Sequence, residues 1–256
     1  MKFSHRLLAF MLALVWSIAA CVSSASAAPL PKEKEKEHEG KQVDAGSFSV
    51  FQNGHRVGTE TFSIYQTASG SVIQSEFKTE NTPPDVQTSE MHLTTAGEIR
   101  RYEWKELSPE KAESVVAPNE DFLNQKWSTG QEKEQQQPYL LPASTSILDD
   151  YFFIHREVLA WKFLAAACKQ EKGQVQCPMK QRAQFGTLNP HQHSSASLSV
   201  EFVGPEKVSL KGGQQELLKL ELKNDAGTWQ LWLEGHDQFR VMRMSIVGEN
   251  TVADRD

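Results

Sequence analysis

Ser144 to Ala167, STSILDDYFFIHREVLAWKFLAAA, is the one long stretch beyond the N-terminal leader that carries helical periodicity, and it limits what the rest of the chain can build. Ile147, Leu148, Tyr151, Phe152, Leu159, Phe163 and Ala166 recur at steps of three, four or seven, which makes an apolar stripe. Phe153, Ile154, Val158 and Trp161 widen that stripe to most of the circumference. The spacing predicts a helix over about 144–167, begun by the side-chain oxygens of Ser144, Thr145 and Ser146. Pro142 lies just before it, and Asp149 and Asp150 suit the positive end of the helix dipole. A single helix this apolar has to be covered, and what surrounds it in sequence is strand.

The strand signal opens with GSFSVFQNGHRVGTETFSIY, two alternating runs around Asn53-Gly54, a pair suited to a tight type I′ hairpin. Phe48 and Val50 share a face, as do Phe62 and Ile64, and Gly58 marks a bulge or a close backbone approach. A third run over SVIQSEFKTE places Ile73 and Phe77 together. EIRRYEWKEL puts Tyr102 and Trp104 on one face among charges, the pattern of an edge strand. Ser114–Ala117 and Phe122–Trp127 are weaker, and Gln131–Gln137 is a polar loop. Alternation resumes after Cys177 with Leu198/Val200/Phe202, Leu218/Leu220/Leu222, Trp229/Leu231/Leu233 and Met242/Met244/Ile246, punctuated by Gly, Pro and Asn. Roughly ten to twelve short strands with turns between them predict a barrel or sandwich. The fold expected is mainly β: a curved antiparallel sheet, half-barrel or barrel-like, with one central α-helix.

Residues 1–27 have the form of an export signal, with Lys2 and Arg6 before an apolar core from Leu7 to Ala20. Two processing sites compete. Ile18-Ala19-Ala20-Cys21 resembles a bacterial lipobox, which would lipidate Cys21, and Ala25-Ser26-Ala27 is a small-x-small site for cleavage after Ala27. Residues 28–45 include PKEKEKEHEGKQ, too polar to bury a core, and read as a charged flexible tether. A single β domain is expected over 46–256. Of three cysteines, Cys168 and Cys177 remain after processing, placed to form a disulfide from the helix end to the next strand in an oxidising compartment. The spacing is not CxxC, so a structural bridge fits better than a redox pair. The formal net charge is −6, and removal of the leader takes only basic residues with it. That balance argues against nucleic acid as a partner.

Three segments carry a resemblance. They are G-x-F-x-V-x-x-N-G-x-x-V-G-x-E at Gly46–Glu60, D-D-Y-x-x-x-H at Asp149–His155 and W-x-L-W-L-x-G-x-x-x-F-R-V-x-R-M at Trp229–Met244. In their order the chain resembles a group of uncharacterised bacterial envelope β proteins. Its layout is similar to the half-barrel lipoprotein localisation factors, where a curved antiparallel sheet wraps a helical plug. The resemblance implies a lipid-holding role at the level of the fold and transfers no catalytic residue. Val22 after Cys21 resembles the sorting pattern of outer-membrane lipoproteins, so the expected location is the periplasm or the periplasmic face of the outer membrane.

Candidate chemistry is sparse. His191 and His193 form an H-x-H pair that could hold a metal with His155 or His236, but Pro190 and Ser194-Ser195 make a polar surface loop the simpler reading. Asp149 and Asp150 could face Glu234 and Asp237 as an acid–base pair, although helix and turn roles account for all four. No GxSxG, HExxH, P-loop or GxGxxG stretch occurs. Tyr151, Phe152, Trp161, Phe163, Trp229 and Trp232 are the candidates to line an apolar cavity between helix and sheet, or else to fill the core. The function expected is therefore non-enzymatic: an exported envelope protein binding a lipid or another apolar ligand, with no cofactor. A scaffold that binds protein partners in the envelope is the alternative, and an enzyme whose site forms only in three dimensions is the third.

Overall fold

The computed structural model describes residues 40–171, 174–236 and 238–256. The expected export signal, Cys21, most of the expected tether, Lys172-Gly173 and Asp237 lie outside them. Fifteen strands form one sheet. In chain order they are β1 (Lys41–Gln52), β2 (His55–Thr67), β3 (Gly70–Thr79), β4 (Val86–Thr94), β5 (Ile99–Ser108), β6 (Ala112–Asn119), β7 (Phe122–Thr129), β8 (Gln135–Tyr139) and β9 (Ser146–Ile147). After the helix α1 (Ile154–Ala167) and a small hairpin of β10 (Lys169–Glu171) and β11 (Gln174–Gln176) come β12 (Arg182–Asn189), β13 (Ser194–Leu210), β14 (Gly213–Asn224), β15 (Gly227–Leu233), β16 (Val241–Ile246) and β17 (Thr251–Arg255).

The sheet is two meanders joined at the chain ends. One runs β8 back to β1, the other β17 back to β12, and β1 pairs with β17 in the middle. All pairings in it are antiparallel except the short parallel contact of β9 with β12. The edges at β8 and β9 do not pair with each other, so the sheet is open. Residues from both meanders share one core cluster with α1, among them Phe48, Ile64, Tyr102, Leu123, Leu198, Leu220 and Met244. The sheet therefore curves around the helix, the mainly β half-barrel that alternation and the lone apolar helix predict. No helix among the described residues is long and apolar enough to cross a membrane.

Several local expectations hold for physical reasons. Asn53 and Gly54 both have positive φ, 53° and 78°, as a type I′ turn requires. A Cβ on Gly58 would meet the Phe77 ring and stand 2.8 Å from the Lys78 carbonyl, and the β1–β2 register shifts beside it. The disulfide joins Cys168 to Cys177 and closes the β10–β11 hairpin onto the helix end.

Others need correction. The first strand starts at Lys41, inside the segment expected to be tether. β5 is no edge: it lies between β4 and β6 with Tyr102 and Trp104 buried, and its charged residues occupy the outer face. The strand count rises because β6, β7 and β8 form a continuous meander whose inner face carries Ser114 and Gln125 beside Val116 and Leu123. Those polar residues bond each other, Gln125 Nε2 donating to Ser114 Oγ at 2.8 Å, which is what lets them occupy core positions. In β16 a register shift opposite Leu233 puts Val241 and Met244 in the main core. It leaves Met242 packing with Trp232 in a second cluster.

The largest correction is the helix. It starts at Ile154, not near Ser144. Ser146-Ile147 are strand, and the backbone N–H of Leu148 donates to Leu188 O at 3.0 Å, fixing the segment before the helix to β12. Phe153 is the N-cap residue and supplies no capping side chain. The cap comes from β2: the Glu60 carboxylate accepts from the N–H of Phe153 at 2.7 Å and of Ile154 at 3.2 Å.

Candidate functional site beside the helix

The first turn of α1 buries three consecutive polar side chains, His155, Arg156 and Glu157. Each is held by the inner face of the sheet. Arg156 stacks its guanidinium on Trp229, 3.8 Å from the ring centroid, and donates to the carbonyls of Asp149 and Phe152. Glu60 stands at the same helix end; burial pushes its carboxyl up to about 7, against the opposing hydrogen bonds from Ser75, Ile154 and Phe153. Glu157 accepts from Val241 N–H and from Arg255 Nη1, both at 3.0 Å, while Arg255 Nη2 reaches Asp44 at 2.7 Å. Burial pushes Glu157 well above the usual carboxylate range, against the opposing charge of Arg255, and its Oε1 has no hydrogen-bond partner among the described residues.

Asp149 organises the loop ahead of the helix. Its buried carboxylate accepts from Tyr102 Oη at 2.8 Å, from Tyr151 N–H at 3.1 Å and from His191 Nδ1 at 2.8 Å. Burial alone would raise its pKa, but the hydrogen bond and charge of His191 hold it below the usual value. His191 lies between Trp104 and Tyr151, with ring centroids 3.9 and 4.6 Å away, and His193 lies 4.1 Å from Trp127. The H-x-H pair is thus in a turn, as expected, but against aromatic walls and not on a free surface. The two histidines face different partners. Of the four residues considered as an acid–base pair, Asp150 accepts from Asn189 and Gln192, Glu234 pairs with Arg240 at 2.9 Å, and Asp237 lies outside the described residues.

The other half of the helix leaves space. A cleft of about 460 Å³ runs between α1 and strands β2, β3 and β4, walled by Ile64, Ile73, Leu93, Val158, Trp161 and Phe185. The β4–β5 turn, Thr95-Ala96-Gly97, forms its lip, and Ala165 and Ala166 are exposed along it. Past Lys162 the space narrows to an enclosed void of about 10 Å³, bordered by Thr145, His155 and Lys162. Leu93, Gly97, Val158 and Lys162 line both.

Of the six aromatic residues expected around a cavity, Trp161 lines the cleft. Phe152 and Phe163 are fully buried packing. Tyr151 packs on Phe77 and His191, and Trp229 carries Arg156. Trp232 is a correction: three residues from Trp229 in one strand, it faces the opposite side of the sheet and packs with Val208 and Leu217. The residues that sequence reasoning passed over are polar ones at core positions. Glu60 carried a readable signal, since it shares parity with Phe62 and Ile64. Thr145 and Lys162 carried none.

No protein-family model matches the sequence, and no curated protein matches it. Among solved structures the chain is similar to a beta-barrel-like protein of a domain of unknown function, DUF1849, from Brucella abortus. The TM-score is 0.51 at 9% identity, over 83% of this chain and 94% of that one. At this identity the likeness concerns the fold alone, a bacterial barrel-like β architecture.

Proposed function

We propose that this domain is a non-catalytic binding protein of the bacterial envelope that holds an apolar ligand or lipid chain between α1 and the sheet. The observation that carries the reading is the 460 Å³ cleft, apolar along its length and open to solvent beside an otherwise covered helix. Its size falls in the range of about 300–1,000 Å³ usual for small-molecule sites. The remainder of the helix surface is packed, so this one uncovered face of Val158, Trp161, Ala165 and Ala166 is where a ligand contributes. The layout similar to localisation factors supports the same reading at the level of architecture. Export is part of the proposal. The Cys168–Cys177 disulfide fits an oxidising compartment, and the leader with Cys21 or Ala27 as its processing point fits attachment to, or release into, the periplasm.

The test uses an environment-sensitive apolar fluorophore and the substitution Ala165→Trp, which fills the cleft from an exposed position that the core does not need. Saturable one-to-one binding to the wild type, lost in the variant at unchanged thermal midpoint, is the expected result. Equal binding by both proteins, or none by either, overturns the reading.

A further inference from the structure

We infer that the inner end of the cleft is a head-group site for an anion, and that the ligand is a single-chain amphiphile with a carboxylate head, a long-chain fatty acid. This rests on the binding reading above and specifies its ligand. The helix face changes character along its length. His155 and Lys162 are two turns apart on α1, with Val158 between them, and Trp161 and Ala165 continue the wall outward. The inner end is the more enclosed and adds Thr145, His155 and Lys162 to an otherwise apolar lining; the outer end is apolar and more open.

Two buried donors border the enclosed end without a partner. Thr145 and His155 are 2% and 1% exposed, and neither Thr145 Oγ1 nor His155 Nε2 has a hydrogen-bond partner among the described residues. His155 Nδ1 faces the backbone N–H of Asp149 at 3.5 Å, so the ring carries its proton on Nε2, directed away from that contact. Burial lowers the His155 pKa to about 4, which keeps the ring neutral and Nε2 a donor at neutral pH. Each orphaned polar group of this kind destabilises the fold unless something fills the space beside it. The void of about 10 Å³ takes one oxygen atom.

Lys162 stands where void and cleft meet. Its ammonium donates to the carbonyls of Gly97 and Ser144, which leaves one of its three protons uncommitted. Among the described residues no carboxylate is within ion-pair reach of it; Glu98 acts on it only from a distance. The three groups at the neck therefore offer a positive charge and two donors and present no acid of their own. A carboxylate placed there receives hydrogen bonds from the ammonium and sends one oxygen toward Thr145 and His155. Its chain then leaves along Val158, Trp161 and Ile73. A neutral head forfeits the charge-assisted bond, and a cationic head meets Lys162.

The experiment is calorimetric titration of the purified domain with oleate, its methyl ester and oleylamine, each below its micelle concentration. Oleate is expected to bind about tenfold or more tightly than the ester, with oleylamine weakest. Lys162→Met is expected to erase the preference for oleate and leave the ester unchanged, and Lys162→Arg to retain it. Thr145→Val keeps its shape and loses its hydroxyl; it is expected to weaken oleate by a smaller factor. Equal binding of oleate and ester by the wild type, or equal loss of both in Lys162→Met at unchanged thermal midpoint, overturns the head-group site while leaving the cleft as a binding site. No binding of either oleate or ester overturns both.

Discussion

The carboxylate of Glu60, on a strand, caps a helix whose N-cap residue, Phe153, lies 93 residues later in the chain, accepting from Phe153 N–H at 2.7 Å. Its Oε1 also accepts from Ser75 Oγ at 2.6 Å, so sheet, cap and helix are bonded through one buried group. The amides it serves have no other capping side chain. Replacing Glu60 by Ala orphans them in the core, and a loss of about 2 kcal/mol or more in unfolding free energy is expected by urea denaturation.

The same carboxyl sets a pH dependence with a definite sign. Its folded pKa is about 7 against an ordinary value of 4.5. The native state thus holds the proton more tightly than the unfolded chain. The stability this contributes is complete below pH 4.5 and is lost as pH rises through about 7. Glu60→Gln mimics the protonated form and does not titrate. Unfolding free energies of the two proteins should be close near the acid end of that window. Glu60→Gln should gain on the wild type as pH rises through it, by up to about 3 kcal/mol. Parallel curves for the two proteins would refute the assignment.

Asp149 behaves oppositely. Its folded pKa lies below the ordinary value of 3.8, so its contribution is present above that pH and is lost only as pH falls through the folded value. At neutral pH, Asp149→Ala leaves Tyr102 Oη and the His191 ring without their acceptor, and a loss of about 2–4 kcal/mol is expected. Tyr102→Phe alone should cost about 1–2 kcal/mol, and the double variant less than the sum, because both remove one shared bond. Additive costs in a double-mutant cycle would show the contact to be idle.

These two carboxylates also explain what the sequence could and could not reveal. Alternation in β1, β2 and β13–β15 is legible because apolar residues occupy most inward positions. β6–β8 are hard to read because Ser114 and Gln125 take core positions and satisfy each other across strands. The helix start is misplaced because Ser144, Thr145, Ser146 and the two aspartates form a genuine local start signal that tertiary bonds redirect. Asp149 serves Tyr102 and His191, and the cap arrives from β2. Trp161 is legible as a cavity residue since the helix is too apolar to be only half covered. Lys162 is not, because a lysine in that pattern looks solvated until the β4–β5 turn places Gly97 O 3.3 Å from its ammonium.

Reduction of the Cys168–Cys177 disulfide should weaken the fold without dismantling it. The bridge spans nine positions in sequence and ties the β10–β11 hairpin, which lies outside the main sheet, to the helix end. A loop this short contributes roughly 2–3 kcal/mol in the chain-entropy account. The double substitution to serine should lower unfolding free energy by that amount and leave the far-ultraviolet circular dichroism unchanged. Loss of the β signal would mean that the bridge, and not the sheet, holds the helix in place.

The central seam of the sheet is tied to the helix by Arg255, which reaches Glu157 Oε2 at 3.0 Å and Asp44 at 2.7 Å and lies over Phe62, 4.9 Å from the ring centroid. All three polar side chains are nearly inaccessible. Arg255→Met therefore removes a guanidinium bonded to two buried carboxyls, and a loss of about 3–5 kcal/mol is expected at neutral pH. The deficit should shrink on acidification, since the raised pKa of Glu157 lets it take a proton and bond Asp44 directly. Adding Asp44→Asn and Glu157→Gln to Arg255→Met removes both stranded charges and should restore much of the stability. If the triple variant is no better than Arg255→Met, packing of the arginine on Phe62 outweighs its charge. Recovery would identify the stranded carboxylates as the cause, and with them the reason this seam tolerates three ionisable groups at its centre.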